Sequence, residues 1–191
     1  MKINTSQLEQ ISIFCLLVAM SMMFYMCDED NGDGSDPLVG KYVFTSATFN
    51  DTVHIKVMDN YQTFFPGYDA SFFVSDGLLG AAPCDNADNA GVDLRENGTI
   101  YYTCFNETNE SQMGIWLIDK DRTILTLNIS NPRTIGIDIK DLEISESNFK
   151  GTVSNFPLPV DTSIELGDTL AGGILRNIQL KSVDVVFDKE E

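Results

Sequence analysis

The chain has few basic residues, and this scarcity excludes two classes of partner. Its 191 residues include 12 lysines and arginines against 29 aspartates and glutamates, which gives a formal net charge of −17 at pH 7. Such a charge would repel the phosphates of nucleic acid. Docking through a basic patch onto anionic lipid is excluded for the same reason. The sequence therefore predicts no nucleic-acid partner and a body that faces water.

Residues that carry metal and catalytic chemistry are also scarce. With a single histidine, His54, and no Cys-x-x-Cys pair, the chain offers too few ligands for a zinc site. It has no Gly-x-Ser-x-Gly motif, no glycine loop that would cradle a phosphate and no His-Glu-x-x-His motif. We therefore expect no catalytic residues, no metal and no cofactor, and we predict that the protein is not an enzyme.

Only one long apolar run is present, residues 11–26, and it is short for a comfortable membrane span. Lys2 precedes the run and Cys27 closes it, an order typical of a secretion signal. Bacterial lipoproteins are cleaved and acylated at a cysteine in this place. We expect residues 1–26 to be a lipoprotein signal peptide and Cys27 to be lipidated, with Met26 where a small residue is usual. The alternatives are an uncleaved single-span anchor and a conventional signal cut nearby.

An acidic stretch that contains glycine, serine and proline follows Cys27 at once. It resembles a calcium loop in part, but Gly40 occupies the position where such a loop needs its bidentate glutamate. We predict instead that residues 27–37 form a flexible acidic tether, because this composition keeps a chain solvated and extended.

Beyond Pro37 the chain has no sustained helical periodicity and consists of short β-rich runs separated by turn residues. In residues 51–60, Val53 and Ile55 fall on one face and His54 on the other, so His54 is predicted to face solvent. The sequence predicts one all-β domain over residues 38–191, an antiparallel up-and-down barrel of about eight strands. Asn97-Gly98 predicts a turn before the strand at residues 99–104. A parity slip near residues 181–182 predicts a β-bulge. The predicted strands lie at residues 38–44, 51–60, 99–104, 114–118, 123–128, 134–138, 142–145, 149–153, 163–166 and 178–187.

Two cysteines, Cys84 and Cys104, remain in the domain. In an oxidising compartment an even pair favours a disulfide. Neither a metal set nor an activated thiol is supported by neighbouring residues. We predict a structural disulfide, and two free thiols are the alternative.

Three short motifs resemble one family. They are Gly40-Lys41-Tyr42 at the start of the domain, Cys84 followed by the Asn97-Gly98-Thr99 region, and the later Gly114-Ile115-Trp116. Together with Cys27, they resemble the lipocalin-like lipoproteins of Gram-negative bacteria. The resemblance implies an up-and-down barrel that is lipid-anchored, by palmitate among other chains, in the cell outer membrane and faces the periplasm or the surface. It transfers no catalytic or ligand-contact residue.

Residues 61–82 are rich in phenylalanine, tyrosine and glycine and do not alternate, so they resemble an insertion. We predict that the barrel binds a small hydrophobic ligand, gated by this insertion. The alternative is a surface structural or interaction lipoprotein with a filled barrel and no small-molecule ligand. The candidate ligand contacts are Phe64, Phe65, Tyr68, Phe72 and Phe73.

Overall fold

The computed structural model describes residues 36–57, 60–132, 134–159 and 178–190. The predicted signal peptide, Cys27 and the predicted strand at 163–166 lie outside these residues, as does most of the predicted tether. Among the described residues, no helix is long and apolar enough to cross a membrane.

The described residues form ten strands and one α-helix. The elements are β1 (Gly40–Phe49), β2 (Val53–Val57), β3 (Asn60–Phe64), α1 (Ser71–Leu79), β4 (Ala90–Leu94), β5 (Thr99–Cys104), β6 (Glu110–Ile118), β7 (Leu125–Ile129), β8 (Ile135–Ile144), β9 (Asn148–Pro159) and β10 (Ile178–Lys189), with a 3₁₀ turn at Ala87–Asn89.

Eight of these strands close into the predicted antiparallel barrel. β4 to β10 pair in chain order, and β1 closes the barrel by pairing with β4 on one side and β10 on the other. The remaining strands, β2 and β3, form a separate two-stranded sheet. The predicted fold class is therefore confirmed, and the strongly alternating residues 53–57 belong to the added hairpin.

Several local predictions are confirmed. Gly98 has φ +77° in the β4–β5 turn, a backbone conformation that glycine adopts without strain. The β9–β10 pairing shifts register between Lys181 and Val183, at the predicted bulge. Val53 and Ile55 are buried and His54 is exposed.

Several predictions about elements are wrong. The run 51–60 is not one strand, because β2 ends at Val57 and Asn60 begins the antiparallel strand β3. β4 was not predicted. The runs 134–138 and 142–145 belong to one strand, β8, because an irregularity between Lys140 and Glu143 changes the register without ending the strand. Asp141 adopts φ +50° within this irregularity, which accounts for the apparent break in the sequence. The sequence also predicted no helix beyond Pro37, whereas α1 occupies nine residues of the supposed insertion.

Candidate functional site

The direction of the strands gives the barrel two different ends. The proximal end contains Asp36, where the described chain begins, and the turns β4–β5, β6–β7 and β8–β9. The distal end carries the β2–β3 hairpin, α1 and the connection from α1 to β4. Because β1 runs from the proximal to the distal end, the residues inserted after it all lie at the distal end.

The proximal end is held by a clamp on the first residues of the domain. Arg122, at φ +56° in the β6–β7 turn, donates two hydrogen bonds to the Asp36 carboxylate, of 2.8 and 2.7 Å. The Pro37 carbonyl accepts hydrogen bonds from Lys189 at 3.1 Å and from the Tyr42 hydroxyl at 3.3 Å. Burial raises the pKa of Tyr42 to about 12, so this hydroxyl stays neutral and keeps its proton to donate. These contacts fix the point at which the chain joins the barrel.

The Asp36–Arg122 clamp predicts a loss of stability in acid. The hydrogen bonds from Arg122 hold the pKa of Asp36 below its ordinary value, so the ion pair stabilises the fold above an unfolded pKa of about 3.9. That stabilisation is lost as the pH falls through the lower, folded-state pKa. We expect Asp36→Asn to cost about 1 kcal/mol at neutral pH, since the pair is partly exposed.

Guanidinium unfolding of the natural protein and of Asp36→Asn, from neutral pH into acid, measures this prediction. The two stabilities should converge at the lowest pH, where Asp36 is protonated. Asp121→Asn is the matched control, because it removes an exposed charge next to Arg122 in the β6–β7 turn. A constant difference between the natural protein and Asp36→Asn at every pH would contradict the role of the carboxylate charge.

α1 lies at the distal end and packs on the barrel core. Val74, Leu78 and Leu79 of this helix are buried in the common core. Gly77 lies against the ring of Phe156 on β9, where an added Cβ would approach the ring to 3.1 Å. On the N-terminal side, the Ala70 amide donates to the Ala47 carbonyl at 2.8 Å, next to the distal half of β1. The helix therefore covers part of the distal end, next to β1 and β9, and we call it the plug.

The structure divides the five predicted ligand contacts into two groups. Phe64 and Phe73 are partly buried and pack on Phe49 of β1, with ring centroids 5.5 and 5.9 Å from it. Phe65, Tyr68 and Phe72 are more than half exposed, and we call these three the distal aromatic surface. The Phe65 and Tyr68 rings contact each other at 5.9 Å. The Phe73 ring links the two groups, since it meets Phe64 and Phe72 edge-on at 5.5 Å each.

Large side chains fill the interior between β1, β9 and β10. The Phe149 ring stacks on Phe187 at 4.8 Å and meets Tyr42 edge-on at 4.8 Å. All three side chains are about 1% exposed, so no water-sized space adjoins them. Across the barrel, Met113 is fully buried, and Trp116 donates its indole N–H to the Arg95 carbonyl at 3.0 Å. These rings fill the part of the interior that lies towards the proximal end.

The predicted disulfide is present and holds the distal loops. Cys84, in the connection from α1, is bonded to Cys104 at the end of β5. Glu107 lies close to both sulfur atoms, and its carboxylate accepts hydrogen bonds from the Asp85 amide at 2.9 Å and the Asn89 amide group at 3.0 Å. These bonds lower the pKa of Glu107. Because the two sulfurs are bonded to each other, Cys84 and Cys104 offer no thiolate to a metal. Together with Glu107 they stabilise the loop.

The fold and its two ends define a class of protein, an up-and-down eight-stranded β-barrel with a clamped proximal end and a helical plug at the distal end. No protein-family model, curated protein or solved structure matches the chain. The resemblance to lipocalin-like lipoproteins therefore stays a prediction that rests on the sequence motifs.

Proposed function

We propose that this protein is an exported lipoprotein, anchored through Cys27 in the outer membrane, whose barrel presents a contact surface to another protein. The observation that carries the proposal is the packing of large buried rings inside the barrel, because it leaves less room for an interior ligand. The chain from Cys27 joins the barrel at the proximal end, where Arg122 clamps Asp36. The exposed aromatic rings lie at the distal end, away from Asp36, so we place the contact surface there.

The chemistry of the distal aromatic surface defines the partner. Its three rings are exposed although aromatic side chains gain most from burial. Exposed carboxylates accompany them, since Asp69 follows Tyr68 and Asp76 lies one helical turn after Phe72. A partner surface with apolar groups and lysine or arginine would complement this arrangement through ring burial, cation–π contacts and charge.

Site-specific photocrosslinking in host cells tests this proposal. A photoreactive residue in place of Phe72 should give one discrete crosslinked protein, and the same residue in place of the exposed Leu117 on β6 should not. The Cys27→Ser variant should lose the lipid mass and leave the membrane fraction. Equal crosslinking from Phe72 and Leu117 would contradict a distal contact surface, and retention of the Cys27→Ser variant in the membrane would contradict the anchor.

Binding of a small hydrophobic ligand is the second candidate, and one observation favours it. The plug is a nine-residue helix without a side-chain cap at its N-terminus, so its own hydrogen bonds hold it weakly in place. Displacement of Val74 and Leu78 would open an apolar site next to Phe73. Native mass spectrometry of the protein purified from its host distinguishes the candidates: a stoichiometric small-molecule adduct supports the ligand carrier.

A further inference from the structure

In the two-stranded β2–β3 sheet, the edge of β3 that faces away from β2 has no partner strand among the described residues. Each residue of β3 pairs with one of β2, from Asn60 opposite Val57 to Phe64 opposite Val53. The other side of β3 pairs with no described strand. Two-stranded sheets are marginally stable in water, so a further strand would stabilise this one.

The register identifies the backbone groups on this edge. Two residues of the sequence separate Val57 from Asn60, and a hairpin with such a connection begins with a hydrogen-bonded pair. Hydrogen-bonded and non-hydrogen-bonded pairs alternate along antiparallel strands. Tyr61 and Thr63 therefore belong to non-hydrogen-bonded pairs, and their N–H and C=O groups point away from β2.

The residues of β3 include neither proline nor a charged side chain, the two usual protections of a sheet edge. β9 also has an unpaired stretch on its β8 side beyond Val153, and prolines occur there at Pro157 and Pro159. Proline and charged side chains are the usual protection against edge-to-edge pairing. β3 contains neither, although the chain as a whole is strongly charged. Its Tyr61 side chain is 72% exposed.

We propose that β3 is a dimerisation edge, which pairs antiparallel with β3 of a second copy of the chain about a two-fold axis at Gln62. In this register Tyr61 lies opposite the partner's Thr63, and the outward groups of both residues form four backbone hydrogen bonds. The two copies of Gln62 face each other as a non-hydrogen-bonded pair. The result is a continuous four-stranded sheet of two β2–β3 hairpins.

Because its side chains carry no charge, β3 is a strand at which two copies of this strongly negative chain can pair. Two molecules of net charge −17 repel each other over most of their surfaces, and this repulsion weakens in salt. The five side chains of β3 are uncharged, so no like charges oppose each other across the two-fold axis. The proposal does not depend on the Cys27 anchor or on the distal aromatic surface.

Disulfide trapping of the full chain in its host cells tests the proposal. Gln62→Cys should give a disulfide-linked dimer on mild oxidation, because a non-hydrogen-bonded pair places the two Cα atoms about 4.5 Å apart, within disulfide reach. Gln112→Cys is the control, an exposed glutamine on the barrel strand β6. We expect at least about tenfold more dimer from Gln62→Cys, since pairing raises the effective concentration of its thiol.

A second pair of variants separates backbone pairing from chance collision. In the Gln62→Cys background, Thr63→Pro removes an outward N–H and should abolish the dimer. Thr63→Val keeps this N–H, loses only the hydroxyl that contacts His54 at 2.9 Å, and should still be trapped. The proposal is overturned if Gln62→Cys and Gln112→Cys give equal amounts of dimer, or if Thr63→Pro leaves trapping unchanged. A monomer whose Tyr61 and Thr63 amides resist hydrogen exchange would also overturn it, because another segment of the same chain would then cover β3.

Discussion

Replacing Phe149 with alanine is expected to lower the free energy of unfolding by about 3–5 kcal/mol. The ring is fully enclosed, and its loss would leave a cavity between Tyr42 and Phe187, each of which it contacts at 4.8 Å. Both aromatic pairs would be lost as well, at about 0.5–1.5 kcal/mol each beyond the buried area. Chemical unfolding followed by tryptophan fluorescence measures the change, because Trp116 is the only tryptophan.

Phe72→Ala provides the matched control for this experiment. Phe72 is 74% exposed and contacts Phe73 alone among the aromatic rings, so its removal should change stability by no more than about 0.5 kcal/mol. If Phe149→Ala does not fold, Phe149→Leu gives the measurement with a smaller cavity. Equal losses from Phe149→Ala and Phe72→Ala would contradict a tightly filled interior.

Removal of the Cys84–Cys104 disulfide is expected to cost about 3 kcal/mol, since the bond closes a loop of 20 residues in the unfolded chain. For a chain of this size the loss corresponds to a fall of about 6–12 °C in Tm. The double variant Cys84→Ser with Cys104→Ser leaves no unpaired thiol behind. Thermal unfolding of this variant and of the natural protein measures the difference.

Reduction provides the control for the disulfide variant. Dithiothreitol should lower the Tm of the natural protein to that of the double-serine variant and should leave the variant unchanged. Because Cys84 follows α1 in the chain, hydrogen exchange in Ser71–Leu79 should also become faster when the bond is absent. An unchanged Tm after complete reduction would show that the loop is held by other contacts, such as those of Glu107.

The sequence by itself determined the fold class, because the relevant signals are local. Alternation at Val53 and Ile55 reflects a period of two that only a half-buried strand satisfies, and the Asn97-Gly98 turn supplies a backbone conformation with positive φ. The bulge near Lys181 appeared as a slip in the same alternation. The pairing of Cys84 with Cys104 followed from the even number of cysteines in the domain and an expected oxidising compartment. These features depend on neighbouring residues or on simple counts.

Only the tertiary structure decided the nature of the candidate site. α1 has apolar residues around much of its circumference and no side-chain cap, so neither periodicity nor capping indicated a helix before the barrel end was there to bury Val74 and Leu78. The same packing placed Phe64 and Phe73 against the core and left Phe72 exposed, although all three have the same side chain. Burial of a given ring depends on which distant strands surround it, and those contacts exist only after the barrel has closed.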